Sequence, residues 1–111
     1  MSRRTVQVAE LLAQVVSGIV LTELADPRLS KIVTITGAEV SADLRYAKIY
    51  FSIIGEQDDW DITEVVLNNA AGFIQKLVAQ RIVLKTTPKL RFIPDHTAEK
   101  AQHIEEIIET I

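Results

Sequence analysis

The chain has 111 residues, 48% of them hydrophobic and 24% charged, and a formal net charge of −3. That length suits one domain able to bury a core of its own, and the lack of cysteine excludes disulfides, thiolate catalysis and cysteine-based zinc sites. The acidic total argues mildly against non-specific nucleic-acid binding through bulk charge, but net charge is a weak guide when charges are segregated along a chain.

Val6 to Leu24 reads as an amphipathic helix. Val8, Leu11, Leu12, Val15, Ile19 and Val20 follow helical spacing, Val16 widens the stripe, and Gln7, Glu10 and Gln14 take the other face. Thr5 is the expected cap. Pro27 disfavours helical geometry at Asp26 and sets the stop near Ala25. The start, Ser2-Arg3-Arg4 before an apolar helix, has the outline of a signal peptide, but polar residues interrupt the run and no small-residue cleavage pattern follows. No stretch is read as long and apolar enough to span a bilayer.

Ile32 to Val40 reads as a strand whose alternation breaks, because Val33 and Ile35 fall on one phase and Ala38 and Val40 on the other. A bulge at Gly37 would bring all four to one face. Residues 41–45 form a turn. Tyr46 to Ile54 is the return strand, with Ala47, Ile49, Phe51 and Ile53 inward and Tyr46, Lys48, Tyr50 and Ser52 outward.

An acidic loop, Gly55 to Trp60, then leads to Asp61-Ile62-Thr63-Glu64. That sequence resembles a capping box, with Trp60 and Val65 placed for a hydrophobic staple. Ile62, Val65 and Val66 are the expected inner face of a short helix, interrupted at Gly72. A second helix follows, with Phe73, Ile74, Leu77, Val78 and Ile82 inward. Leu90 and Phe92 form the inner face of a third strand, Lys89 and Arg91 its outer face, and Pro94 its end. A last helix is expected over residues 97–111. The connection through paired helices should place the second and third strands in parallel, with helices on one face of a small mixed sheet.

Enzymatic chemistry finds little support. His96 and His103 lie about 10 Å apart if both are helical, too far to share an ion. The group Glu56, Asp58, Asp59 and Asp61 lacks the order of a calcium loop. No G-x-S-x-G or G-x-x-x-x-G-K-[ST] motif occurs, and no nucleophile has a base near it in sequence.

The most informative stretch is Asn68 to Arg91. It carries Lys76, Arg81, Lys85, Lys89 and Arg91, with no acidic residue from Lys76 to Arg91. Two readings are open: a nucleic-acid surface or a solvated face, with Arg81 near the apolar stripe. Gly72 is likewise either a kink that exposes backbone to a ligand or a small residue at a helix–strand crossing. Tyr46 and Tyr50 either stack on bases or pack across strands.

The order Asp26-Pro27-Arg28-Leu29, Thr36-Gly37-Ala38-Glu39-Val40-Ser41, Asp43-Leu44, Ala47-Lys48-Ile49-Tyr50, Ala71-Gly72-Phe73-Ile74, Leu84, Pro88-Lys89-Leu90-Arg91-Phe92, Asp95, Ile104 and Ile107-Ile108 resembles the ribosome-binding factor A family over nearly the whole chain. The resemblance implies an α+β fold: a type II KH-like two-layer sandwich with a three-stranded mixed sheet, formed by residues 1–111 as one ribosome-binding domain. It also implies that Ala70-Ala71-Gly72 is the Ala-x-Gly kink that stands in for the GXXG loop of ordinary KH domains. The expected activity is non-enzymatic: binding of the free 30S subunit and help in late maturation of 16S rRNA, especially in the cold, by a cytoplasmic monomer with no cofactor, metal or membrane partner. The expected RNA contacts are Ala70, Gly72, Lys76, Arg81, Lys85, Lys89, Arg91 and Arg45, with Arg28 and Lys31 extending the surface. The chain departs from some family members in carrying no basic tail after Ile111. The rival reading is a KH-like protein-interaction module that makes no direct RNA contact.

Overall fold

A computed structural model describes residues 2–24, 26–29 and 32–97. Six elements follow one another: α1 (Arg3–Glu23), β1 (Thr34–Val40), β2 (Tyr46–Ser52), α2 (Gln57–Asn69), α3 (Ala71–Arg81) and β3 (Lys89–Pro94). This is the expected order. The helix expected over 97–111, with His103, lies outside the described residues beyond Thr97, and so does Lys31.

α1 begins earlier than its apolar rhythm suggests, because Ser2 and not Thr5 is the cap. Ser2 Oγ accepts from the backbone N–H of Thr5 at 3.2 Å, the usual way to satisfy a first-turn donor. Thr5 instead turns inward and donates its hydroxyl to the Ser2 carbonyl at 2.8 Å. Ala9, Leu12, Val16, Ile19 and Val20 form the buried stripe. Contrary to expectation, α1 is long and apolar enough to cross a bilayer by length and composition. Core helices meet the same test, and here Leu12, Val16 and Ile19 are completely buried.

The sheet has β2 at its centre, antiparallel to β1 and parallel to β3. The bulge expected at Gly37 sits one residue earlier. The β1–β2 register slips between Ile35 and Gly37, leaving Thr36 without a partner. The extra residue brings Ala38 and Val40 to the same face as Ile35, as the hydrophobic pattern demands. In the turn, Leu44 takes a left-handed conformation with φ of 62°, at a cost of about 1–2 kcal/mol for a residue with a side chain. Asp43 offsets part of this by accepting from the Arg45 N–H at 3.1 Å and the Ser41 hydroxyl at 2.7 Å.

α2 starts one turn before the expected capping box. Its cap is Glu56, and Asp59 reaches back to accept from the Glu56 N–H at 2.9 Å. The Asp59 carboxylate lies over Gly55, where a Cβ would stand 2.6 Å from its oxygen. The shift in start makes Trp60 part of the helix and rotates a different stripe inward. Trp60, Thr63, Val66 and Leu67 are buried, whereas Ile62 and Val65, expected inside, are exposed. Both stripes are apolar, but burying an indole removes far more surface from water than burying an aliphatic chain. Trp60 packs against Phe51, ring centroids 5.9 Å apart, and against His96 at 4.0 Å. In α3, Ile74 and Val78 face the core, and Phe73, also expected inside, is exposed.

The core thus joins Leu12, Val16 and Ile19 of α1, Leu67 of α2, and Ile74 and Val78 of α3 to Ala47, Ile49, Phe51, Leu90 and Phe92 of the sheet. Tyr46, Lys48, Lys89 and Arg91 alternate with these buried strand residues and are exposed. The described helices therefore cover one face of the sheet, and no described element packs on the other.

Candidate nucleic-acid interface

Strand alternation and the parallel register build one half of the interface. Lys89 and Arg91 project from β3 on the bare face. The register sets Tyr46 beside Lys89 and Lys48 beside Arg91. Arg45, exposed just before β2, accepts the Lys89 N–H through its carbonyl at 2.8 Å, which ties the start of β3 to the turn. Like charges directly opposite in a sheet are unfavourable. Among the described residues none of Arg45, Lys48, Lys89 and Arg91 is in an ion pair; the pairs formed are Arg28–Asp26 and Arg81–Glu23. Glu39 faces Lys48 from β1, but its carboxylate accepts the Tyr50 hydroxyl at 3.2 Å. An open groove of about 460 Å³ runs here, lined by Glu39, Tyr46, Lys48, Lys89 and Arg91 among others.

The two outward tyrosines part company. Tyr50 is half-buried and bonded to Glu39; burial first, and then that hydrogen bond, hold its phenol above the usual value. Tyr46 is 59% exposed and has no ring partner among the described residues. Cross-strand packing accounts for Tyr50 and leaves Tyr46 unaccounted for.

The other half of the interface lies on the helix layer. The chain turns at Ala70, which closes α2 and opens α3 with φ −88° and ψ −1°. Its N–H points to the Val66 and Asn68 carbonyls, and its carbonyl accepts from Ile74 at 2.9 Å. The break therefore falls at Ala70, the first residue of the expected Ala70-Ala71-Gly72 kink, and Gly72 already lies within α3. Gly72 has no positive φ, and no described residue lies within 4 Å of where its Cβ would be. Neither backbone geometry nor close packing within the chain requires glycine there. What glycine leaves is an uncovered backbone on an exposed corner, next to exposed Phe73 and one turn from exposed Lys76.

Arg81, at the end of α3, follows buried Ile74 and Val78 at helical spacing and passes near Gly18 of α1. It reaches α1 and pairs with Glu23 at 3.1 Å. Lys85 is exposed in the segment before β3, anchored by the fully buried Pro88. Arg28, exposed, is bonded through both its backbone and its guanidinium to Asp26, whose carboxyl is held below its usual range mainly by that side-chain bond. The eight expected contacts are therefore not one patch. Lys89 and Arg91 share the sheet face, Arg45 stands exposed in the turn before β2, Ala70, Gly72 and Lys76 lie on the helix layer, Lys85 lies between the two in sequence, and Arg81 is engaged elsewhere. Sequence reasoning left out Lys48, whose place beside Arg91 depends on the register of β2 against β3. Its outward phase was visible in the alternation, and the parallel pairing supplies the rest.

The family profile of ribosome-binding factor A matches residues 4–108. Ribosome-binding factor A of Rhodopirellula baltica is 40% identical over 110 residues, covering 99% of this chain and 80% of the relative. That of Caldanaerobacter subterraneus is 38% identical over 111 residues, covering 100% and 91%. The crystal structure of ribosome-binding factor A from Thermus thermophilus superposes with a TM-score of 0.70 at 21% identity, over 81% of this chain and 94% of that one. A homology model of the Thermus protein, fitted into a cryo-EM map of its complex with the 30S subunit, gives 0.68 at 21% identity, over 82% and 94%. The mixed three-stranded sheet with three helices is thus the fold of those structures, as expected. Matched from end to end by profile and relatives, the chain belongs to the ribosome-binding factor A family.

Proposed function

We propose that this protein is a non-enzymatic assembly factor that binds the free 30S subunit and assists late maturation of 16S rRNA. Membership of a family named for ribosome binding supports the reading, as does the 30S complex described for the Thermus relative. The observation that carries it on this chain is the set of exposed cations that form no ion pair among the described residues, held outward on a protein of net charge −3. Segregation of this kind suits a phosphate backbone, which positions a protein without reading sequence. Lys76, Lys85, Lys89, Arg91 and Arg45 are assigned to phosphates, and the backbone around Ala70 and Gly72 to close approach. Arg81 has a lesser share, because Glu23 already neutralises it. The protein acts as a monomeric KH-like domain in the cytoplasm, where subunits mature.

Sucrose-gradient sedimentation tests the proposal. The protein should travel with free 30S subunits and not with 70S ribosomes, and its depletion from cells should leave 16S precursors with unprocessed 5′ ends. Co-sedimentation that persists in variants with Lys76, Lys89 and Arg91 reversed to Glu would instead favour docking on a ribosomal protein.

A further inference from the structure

The sheet face carries more than a share of electrostatic docking. We infer that the bare face of the sheet is a binding surface for single-stranded RNA, built from Tyr46, Lys48, Lys89 and Arg91 and separate from the kink. This deepens the 30S-binding reading and rests on it for the kind of nucleic acid involved.

Three observations point the same way. First, the cations form a two-by-two arrangement with Tyr46: the parallel register puts Tyr46 next to Lys89 and Lys48 next to Arg91, so the ring occupies one corner of a basic rectangle. Second, the arrangement is not one the fold requires. Lys48 and Arg91 are like charges in adjacent register positions, none of the three cations is paired among the described residues, and Tyr46 is 59% exposed. Its neighbour Tyr50, by contrast, is satisfied by Glu39. Third, a groove of about 460 Å³ passes between these side chains, a concave path in place of a flat sheet.

Cations that track a backbone beside an exposed ring on which a base stacks are what single strands require. A duplex buries its base faces and could use only the cations. An acidic protein partner would use the cations and have little use for an exposed ring beside them. Glu39 lines the same groove and opposes any polyanion there, so its removal should strengthen binding.

The face also lies opposite the helix layer that carries Gly72 and Lys76. The α3 residues Ile74 and Val78 are buried against the sheet, and Lys76 falls on the far side of that helix. The two surfaces can therefore be disabled independently.

The experiment uses the full chain and a fluorescein-labelled oligouridylate of about ten nucleotides, within the range of single-strand site sizes, followed by fluorescence anisotropy across a salt series. All substitutions are at exposed positions, and thermal melts check that each variant is folded. Lys48→Gln/Arg91→Gln should weaken binding by about tenfold or more and flatten the log–log salt slope by about 0.7 per cation removed. Tyr46→Ala should weaken binding by about fivefold or more, as loss of a stacked base does, and leave the slope unchanged. Glu39→Gln should tighten binding.

The inference is overturned if the wild type does not bind the oligomer at low salt. It is overturned equally if the Lys48/Arg91 and Tyr46 variants bind like the wild type, or if a duplex of the same length binds as well and loses as much affinity on Tyr46→Ala. Sedimentation with 30S subunits is scored separately. A protein that fails to sediment yet shows this pattern with the oligomer refutes the 30S proposal and leaves the sheet-face surface standing.

Discussion

Asn68 holds the backbone of Phe92 by both its polar groups. The Asn68 Oδ1 accepts from the Phe92 N–H at 2.8 Å, and Nδ2 donates to the Phe92 carbonyl at 3.0 Å. Phe92 lies in β3, an edge strand, whose outer edge would otherwise present unpaired N–H and C=O groups. One side chain from α2 thus satisfies the backbone N–H and carbonyl of Phe92 and ties the kinked helix pair to the sheet. Nδ2 also reaches the Glu64 carbonyl at 3.0 Å.

Asn68→Ala should therefore cost more than an ordinary helix substitution, even though alanine is the better helix former. Leaving two partly buried backbone groups unsatisfied costs about 1–3 kcal/mol, and the net loss should be about 2 kcal/mol by urea unfolding followed through Trp60, the one tryptophan of the chain. Asn68→Asp, which keeps the acceptor and loses the donor, should fall between. A melt unchanged from wild type would mean the bonds carry no stability.

Gly72 predicts the opposite sign. The sequence left open a kink or a small residue at a crossing, and the φ of Gly72 is ordinary with open surroundings among the described residues. Gly72→Ala should stabilise the protein by up to about 1 kcal/mol and at the same time weaken 30S binding, because a methyl group covers the exposed corner. Stabilisation with unaltered binding would remove Gly72 from the interface.

Arg81 and Lys76 lie on the same helix but should not behave alike. The Arg81–Glu23 pair is solvent-exposed on both sides, a class of interaction worth about 0–1 kcal/mol. Arg81→Gln should hardly move the melting temperature and should reduce subunit affinity less than Lys76→Gln does. Calorimetry and subunit binding on the two variants side by side check this.

Asp95 supplies a pH dependence. Hydrogen bonds from the Thr97 hydroxyl, then the Thr36 hydroxyl at 2.7 Å, then the Thr97 N–H hold its carboxyl below the ordinary value of 3.8. A carboxyl lowered in the folded state stabilises the fold above its unfolded pKa, and that contribution is lost as the pH falls through the lowered value. Asp43, lowered chiefly by the Ser41 hydroxyl, acts in the same window. Urea midpoints should fall as the pH drops below 3.8. Asp95→Asn should lower the midpoint at neutral pH and flatten the acid side of the curve. An acid limb identical to wild type would show that the Thr36–Asp95 link, which joins the bulge to the end of β3, is energetically silent.

How much of this was legible in the sequence depended on whether local chemistry had one solution or several. β2 alternates without ambiguity from Tyr46 to Ser52, and its faces emerged as read. The break between Ile35 and Ala38 demanded an extra residue, and only its position, Thr36 in place of Gly37, needed the register. The start of α2 was not legible, because Glu56, Asp58, Asp59 and Asp61 all suit a helix start and two apolar stripes competed. The tertiary gain from burying Trp60 decided it, and no local rule measures that. For the interface, the outward phase of Lys89 and Arg91 was local information. The pairing of Lys48 with Arg91 is non-local, as are the engagement of Arg81 by Glu23 and the hold of Asn68 on Phe92. An asparagine inside a helical pattern, where its propensity is poor, was the one available hint for the last.

The most direct test of the account is equilibrium binding to purified 30S subunits across a salt series, for the wild type, Lys76→Gln and Lys89→Gln/Arg91→Gln. Phosphate docking predicts that affinity falls steeply with salt and that each lost cation lowers the log–log slope by about 0.7–0.9. Both variants should bind more weakly than wild type. Wild-type binding that is independent of salt and unchanged in both variants would contradict the account and make these cations a solvated surface.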